Sequence, residues 1–291
     1  MLFRSKGSGS NGVDTVYFAD PNGTATATGG VGVPSTSETL PSASSWTAPT
    51  YTTSDSALGL TAKNPGLAPT NAYILKGFPA AIAKNATDAS DYPFGLWFAN
   101  PTTLYVADEG AGDNTYSATS GTYTAAAAST TAGLQKWVFN TTADTWQLAY
   151  TLQSGLNLGQ PYSVAGYPIG NNPDTNLPWA PATDGLRNIT GRVNRDGSVT
   201  IWAVTSTVSG SGDQGADPNG LEAITDNPSA SAPAGGEAFR TVVAPRYGEV
   251  VRGVSLTPGS NPGNGGGNGW GGWVRSGRAR ADGHSRRRGV H

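Results

Sequence analysis

The chain of 291 residues has no cysteine and two histidines, His284 and His291, both near its C-terminal end. The first absence excludes disulfides, thiolate nucleophiles and cysteine-ligated metals. The second leaves residues 1–283 without the imidazole that a Ser-His-Asp triad, a zinc site or a histidine general base needs. Neither a P-loop nor a dinucleotide-binding glycine fingerprint occurs, and GNGGGNGWGG near the C-terminus is low-complexity sequence. No apolar run reaches the roughly 20 residues of a membrane-spanning helix. Charged residues make up only 13% of the chain. No stretch sustains apolar residues at helical spacing, and the Ala-rich run Ala125–Ala128 has no amphipathic face. Long helices are therefore excluded.

What remains is rich in Gly, Ser, Thr, Asn and Pro, with Thr, Val, Tyr and Trp filling the apolar runs, a strand-forming composition. The expected class is all-β. The charge divides the chain. Of 18 Lys and Arg, six (Arg275, Arg278, Arg280, Arg286, Arg287, Arg288) lie in 259–291, leaving 12 in 1–258. Of 20 Asp and Glu, one lies in that tail, so the body carries −7 and the tail +5. A folded domain over 1–258 and a disordered Gly/Arg-rich tail over 259–291 follow from composition. The tail reads either as a basic arm or as a functionless extension, and the acidic body beside it argues against a nucleic-acid surface. The opening MLFRSKGSG has no apolar core of an export signal. The polar, uncharged composition nonetheless resembles secreted bacterial β proteins. The expectation is a secreted or periplasmic protein, a monomer, whose export signal lies outside this sequence.

A segment recurs: NGVDTVYF at 11–18, AGLQKWVF at 132–139 and NGLEAITD at 219–226. Each places Leu or Val after Gly and then a β-type run. A fixed motif between strand-like runs marks a repeat built from one supersecondary unit. Strands are predicted at 2–6, 13–20, 73–78, 94–99, 103–108, 134–139, 146–152, 186–194, 199–205, 221–226, 239–243 and 250–257. In 146–152, Trp146, Leu148, Tyr150 and Leu152 alternate with Gln147, Ala149 and Thr151, which predicts one well-buried face. Grouped by the repeat, these runs make about three four-stranded antiparallel β-propeller blades. The first lacks its innermost strand, and 250–257 is spare. The innermost strands carry Gly95, Gly191 and Gly253, where glycine permits close backbone approach. Asn194-Arg195-Asp196-Gly197 predicts a tight hairpin turn.

FGLWFANPTTLYVADEG followed by GLQKWVF resembles the NHL-type blade. Residues 1–258 are more closely similar to a group of uncharacterised secreted bacterial β-propeller proteins, whose blades read LYVADxG and GLQKW and end in RGVxFTP, here Arg252 to Pro258. Closed propellers have about four to eight blades. Three visible blades therefore imply the C-terminal part of a larger ring, or strands hidden in the inserts 21–70, 109–132 and 153–185.

Alternating strand directions predict that the long connections 109–132, 206–219 and 153–185 emerge at one end of the blades, where long structured loops tend to be functional. Two acidic loops lie there, with Asp108, Glu109 and Asp113 in one and Asp213, Asp217 and Asn219 in the other. Such oxygen donors suit Ca²⁺, or else they satisfy turn backbone. Arg187, Asn188 and Arg252 begin innermost strands. They would hold a carboxylate or phosphate, or pair with Asp184 or Glu249. Tyr162, Tyr167 and Trp179 in the long insert either stack on a ligand or pin the insert down. The expected function is a binding or scaffold module for a glycan, small-molecule or protein ligand. The alternative is a calcium-dependent propeller hydrolase of phytase, esterase or lactonase type.

Overall fold

The predicted strand runs become antiparallel sheets. The computed structural model describes residues 2–5, 13–19, 46–47, 72–75, 77–79, 81–82, 91–143, 145–211, 214–257 and 275–280. Within them the chain is all-β, with no helix long and apolar enough to cross a membrane. The first sheet joins β1 (Leu2–Ser5), β2 (Val13–Ala19), β3 (Trp46–Thr47), β4 (Ala72–Leu75) and β5 (Ala81–Ile82) in the order β1-β2-β4-β3, with β5 also on β2. β4 takes Tyr17–Ala19 of β2 and β5 takes Val13–Asp14. The pairing of β3 with β4 places a strand inside the stretch 21–70, which the sequence pattern leaves as an insert.

The second sheet is a four-stranded meander of β6 (Pro93–Asn100), β7 (Thr103–Asp108), β10 (Gly133–Asn140) and β11 (Thr145–Leu152). Between β7 and β10 lie a small hairpin, β8 (Tyr116–Ser117) with β9 (Thr122–Tyr123), and one helical turn, α1 (Thr124–Ala128). The third sheet is again a four-stranded meander, β12 (Ala182–Val193), β13 (Val199–Val208), β14 (Leu221–Asp226) and β15 (Arg240–Val243). β16 (Glu249–Ser255) follows and pairs with β17 (Arg275–Arg280), so part of the Gly/Arg-rich stretch takes strand form. None of these sheets closes on itself.

β6 and β12, the edge strands of the second and third sheets, pack against each other, and β16 lies against β12 and β13. Glycine makes the first approach possible. A Cβ on Gly95 would collide with the Arg187 carbonyl, and one on Gly191 would sit inside the Trp97 ring. Gly253 has open space around its Cβ position, so close approach does not explain it. The hairpin turn forms as expected: Gly197 takes φ 85° and donates to the Asn194 carbonyl at 3.1 Å.

A bulge in β11 changes the facing of one strand. Lys136 opposes Tyr150 while Trp137 opposes Leu148, so Ala149 is skipped and the side-chain alternation reverses there. Trp146 consequently joins Phe139 and Phe98 on one face of the sheet, and Trp137 on β10 stacks on Phe78. Leu152 turns to the other face, with Tyr150 packed beside it. Leu148 is left 41% exposed. The single buried face expected for 146–152 is thus split between two interfaces. The principal core lies between the second and third sheets, with Tyr105, Leu134, Leu152, Leu186, Ile201 and Ile224 at its centre.

Candidate functional site

Three long connections meet at one end of the two meanders and bond to each other: 109–132, 153–181 and 209–220. β12 begins at Ala182, four residues before the apolar run that suggested it, so the long insert ends at 181. Tyr123 of the first connection donates its N–H to the Gly159 carbonyl at 2.8 Å and its hydroxyl to the Pro178 carbonyl at 3.1 Å. Asn172 Nδ2 and Thr175 Oγ1 both donate to the Gly210 carbonyl, and Gly210 N–H donates to Pro178. Tyr123, Ala126, Ala182 and Val208 form a small core beneath, with Tyr116 packed against it. These segments form one bonded cap over the strand ends.

Two residues expected to do different jobs pair with each other. Arg187 Nε donates to Glu109 Oε2 at 2.9 Å, and its guanidinium carbon lies 5.6 Å from the centroid of the Phe94 ring. Neither Asp184 nor Glu249 is the arginine's partner in this ion pair. Asp184 Oδ2 instead accepts Gly112 N–H at 2.7 Å. Asn188 is half-buried on β12. Arg252 lies on β16, exposed, donating to the Gly215 carbonyl at 3.0 Å.

Asp108 is fully buried and accepts three N–H groups: Gly110 on Oδ1, Tyr92 and the Gln135 amide on Oδ2. Burial pushes its carboxyl up to about 7, against the pull of those backbone donors. Gln135 also donates to Asp91 and accepts Trp137 Nε1–H, so this carboxylate closes a network across the second sheet. Asp113 is exposed and accepts the N–H and hydroxyl of Thr115, a turn arrangement. Asn219 is buried. Its side-chain amide accepts Val251 N–H at 2.8 Å and donates to the Val251 carbonyl at 2.9 Å and to Thr205. That amide stands in for a neighbouring strand. Asp213 lies outside the described residues. Among the described residues no group of three or more Asp, Glu, His or Cys is arranged to hold a metal ion.

The tyrosines converge. Tyr167 donates its hydroxyl to Asp217 Oδ1 and Tyr162 donates to the Pro218 carbonyl, both at 2.8 Å. Burial, then the Asp217 carboxylate, holds the Tyr162 hydroxyl well above the usual phenol range. Burial and the Asp217 hydrogen bond do the same for Tyr167. These two tyrosines thus pin the insert to the β13–β14 connection, and Gly159 N–H donates to the Thr183 carbonyl of β12 at 2.8 Å. Trp179 is half-buried and ties in by its N–H to the Gly170 carbonyl at 2.9 Å. The tip of the insert stays open to solvent, with Ile169 95% exposed.

One constellation escaped the sequence reading. Tyr105, Lys136 and Tyr150 stand in register on β7, β10 and β11 and point together at Asp226 of the third sheet. Both tyrosines donate to the Asp226 carboxylate, Tyr150 at 2.7 Å. Lys136 Nζ donates to the Tyr150 hydroxyl at 2.8 Å and to the carbonyls of Asn227 and Ala230 at 2.6 and 2.8 Å. Burial lowers the lysine's proton affinity while Asp226 restores part of it. The only sequence signal was a Tyr or Lys at a core-facing position of each strand, and no spacing rule links residues 105, 136, 150 and 226.

No protein-family model matches the chain, and comparison with curated proteins and with solved structures gives no significant match.

Proposed function

We propose that this protein is a propeller-type binding module that holds a ligand on its cap. The observation carrying this reading is the bonding of three separate long connections into one layer at one strand end, outside the sheet core. A scaffold that serves only its own stability has no need of so much ordered loop. The propeller reading draws support from two consecutive four-stranded meanders whose edge strands β6 and β12 abut, with β16 next in line. Under it, the sheets are blades of NHL-like type, and the protein is an extracellular or cell-envelope monomer of bacterial kind. The ligand is a glycan, a small molecule or a protein. Catalysis is not part of the proposal, because the imidazole and thiol groups of the common hydrolases are missing from residues 1–283.

Glycan arrays and a cell-envelope protein fraction, probed with the full chain, test it. The expected result is a ligand whose signal falls with Ile169→Asp or Tyr247→Ala in the cap region but survives Arg195→Ala in the turn at the far end of β12. Absence of any ligand, or a ligand indifferent to both cap changes, would overturn it.

A further inference from the structure

Lys136 and Asp226 bring an amine and an acyl group together between the second and third sheets. Lys136 Nζ on β10 lies 3.4 Å from Asp226 Oδ2 at the end of β14, and solvent reaches almost none of either side chain. Holding two groups at this separation in a fixed site replaces a bimolecular encounter by an intramolecular one. Keeping both as buried charges is costly, whereas an amide would remove both charges and release one water.

Three features prepare such a condensation. The Asn227 and Ala230 carbonyls accept from Nζ at 2.6 and 2.8 Å and fix the nitrogen beside Asp226. Burial lowers the proton affinity of Lys136, against the pull of Asp226, and a desolvated lysine that has lost its proton is a nucleophile. Each oxygen of Asp226 accepts a phenol: Tyr105 donates to Oδ2 and Tyr150 to Oδ1. Donors on both oxygens draw electron density from Cγ and stabilise the oxyanion formed when a nucleophile adds to it. The Tyr150 hydroxyl also touches both reactants, at 2.8 Å from Nζ and 2.7 Å from Oδ1, which is the placement of a proton relay.

We propose that Lys136 and Asp226 join in an intramolecular amide bond that staples the second sheet to the third, with the ion pair as its reactant state. One proton first passes from the ammonium through Tyr150 to Oδ1, leaving an amine and a carboxylic acid. Nζ then adds to Cγ, and the electron pair of the C=O bond moves onto Oδ2, where the Tyr105 hydroxyl holds it. The Cγ–Oδ1 bond breaks as Oδ1 takes a second proton from the nitrogen, again through Tyr150, and leaves as water. Nothing is oxidised or reduced, and no further reactant enters. The product amide keeps one N–H, so one of the two backbone carbonyls gives up its donor. The staple forms whether or not the cap holds a ligand.

The test is mass spectrometry of the full chain under denaturing conditions. The expected intact mass lies about 18 Da below that of the sequence, a loss of one water. Trypsin does not cleave after an acylated lysine, so residues 85–187 should appear as one peptide linked to 196–240. Lys136→Arg keeps a positive charge beside Asp226 but offers no amine. It should show the full sequence mass while retaining the parent circular dichroism, and Asp226→Ala should also show the full mass. In freshly synthesised chain, Tyr150→Phe should form the link roughly a hundredfold more slowly than the parent, which a phenol with only a structural role would not cause. A folded parent at the full sequence mass would overturn the proposal. So would the same deficit in Lys136→Arg, or a linked peptide that joins other residues. An unchanged rate in Tyr150→Phe would overturn the relay. Should Asp226→Ala fail to fold, the parent's linked peptide and Lys136→Arg still decide.

Discussion

Lys136 Nζ on β10 lies 3.4 Å from a carboxylate oxygen of Asp226 at the end of β14, and neither side chain exposes more than 1% of its surface. The pair joins the second sheet to the third. Its desolvation is compensated by five further hydrogen bonds, two from tyrosines to Asp226, two from Lys136 to backbone carbonyls and one from Lys136 to the Tyr150 hydroxyl. Removing one member strands the other, which typically costs about 3–5 kcal/mol. Lys136→Met and Asp226→Asn should each destabilise by about that much in urea unfolding. The double variant should lose clearly less than the sum, because neither charge is then left alone. Strict additivity would mean that the two side chains do not interact.

The approach of β6 to β12 should be intolerant of a single methyl. Gly95→Ala drives a Cβ into the Arg187 carbonyl, a backbone atom that cannot move without shifting β12. The expected loss is about 2–3 kcal/mol. Gly197→Ala has no neighbour within 4 Å but sits at φ 85°, and should cost only about 1 kcal/mol. Reversal of that order in thermal or urea unfolding would contradict the packing of the two meanders.

Asn219 should control the attachment of β16. Its amide satisfies both backbone groups of Val251, which lies in a small apolar cluster with Val204 and Leu221. Asn219→Ala should cost about 2 kcal/mol. It should also speed hydrogen exchange at the Val251 amide before it affects amides in β13. Unchanged protection at Val251 would show that β16 is held by its pairing with β17 and its apolar contacts without need of Asn219.

Much of the strand framework was legible because short runs rich in β-branched and aromatic residues, bounded by turn residues, mark strands. The runs 103–108 and 221–226 coincide with β7 and β14 at both ends. Gly95 and Gly191 were also readable, since a glycine inside an apolar strand marks a close approach. The facing of β11 was not, because the bulge at Ala149 depends on the strand opposite it. The site was legible as a location but not as a set of partners. Asp108 and Glu109 looked like two ligands of one ion. In the fold the first is enclosed by N–H donors and the second takes Arg187, a residue 78 positions away along the chain. Such pairings are products of tertiary packing, and a single sequence holds no local trace of them.

Calcium should leave the unfolding midpoint unchanged. The N–H groups aimed at Asp108 occupy the directions from which a cation would approach, and Asp113 is committed to its own turn. Thermal scans in millimolar calcium and in chelator should therefore superimpose within about 1 °C, since only a ligand binding the folded state raises the midpoint. A rise of several degrees with calcium would reveal a metal site and return the hydrolase alternative to consideration.

Glu222 gives the fold a pH dependence of predictable sign. Burial pushes its carboxyl from the ordinary 4.5 up to about 7, with the Thr241 hydroxyl acting in the opposite direction. A carboxyl whose folded pKa exceeds its unfolded value takes up a proton on folding between those values. Its contribution to stability is therefore complete below about pH 4.5 and is lost as pH rises through about 7. Asp108 has the same sign, so the parent profile contains more than one titration. Comparison with Glu222→Gln isolates one of them, because glutamine matches the protonated acid in shape and does not titrate. Between pH 5 and 7 the parent should lose stability relative to this variant at a slope approaching about 1.4 kcal/mol per pH unit. Urea unfolding of both proteins across that range measures it. Parallel profiles would place Glu222 in contact with solvent or a counter-charge at every pH. A parent that gains on the variant as pH rises would mean that the carboxylate form is the one the fold prefers.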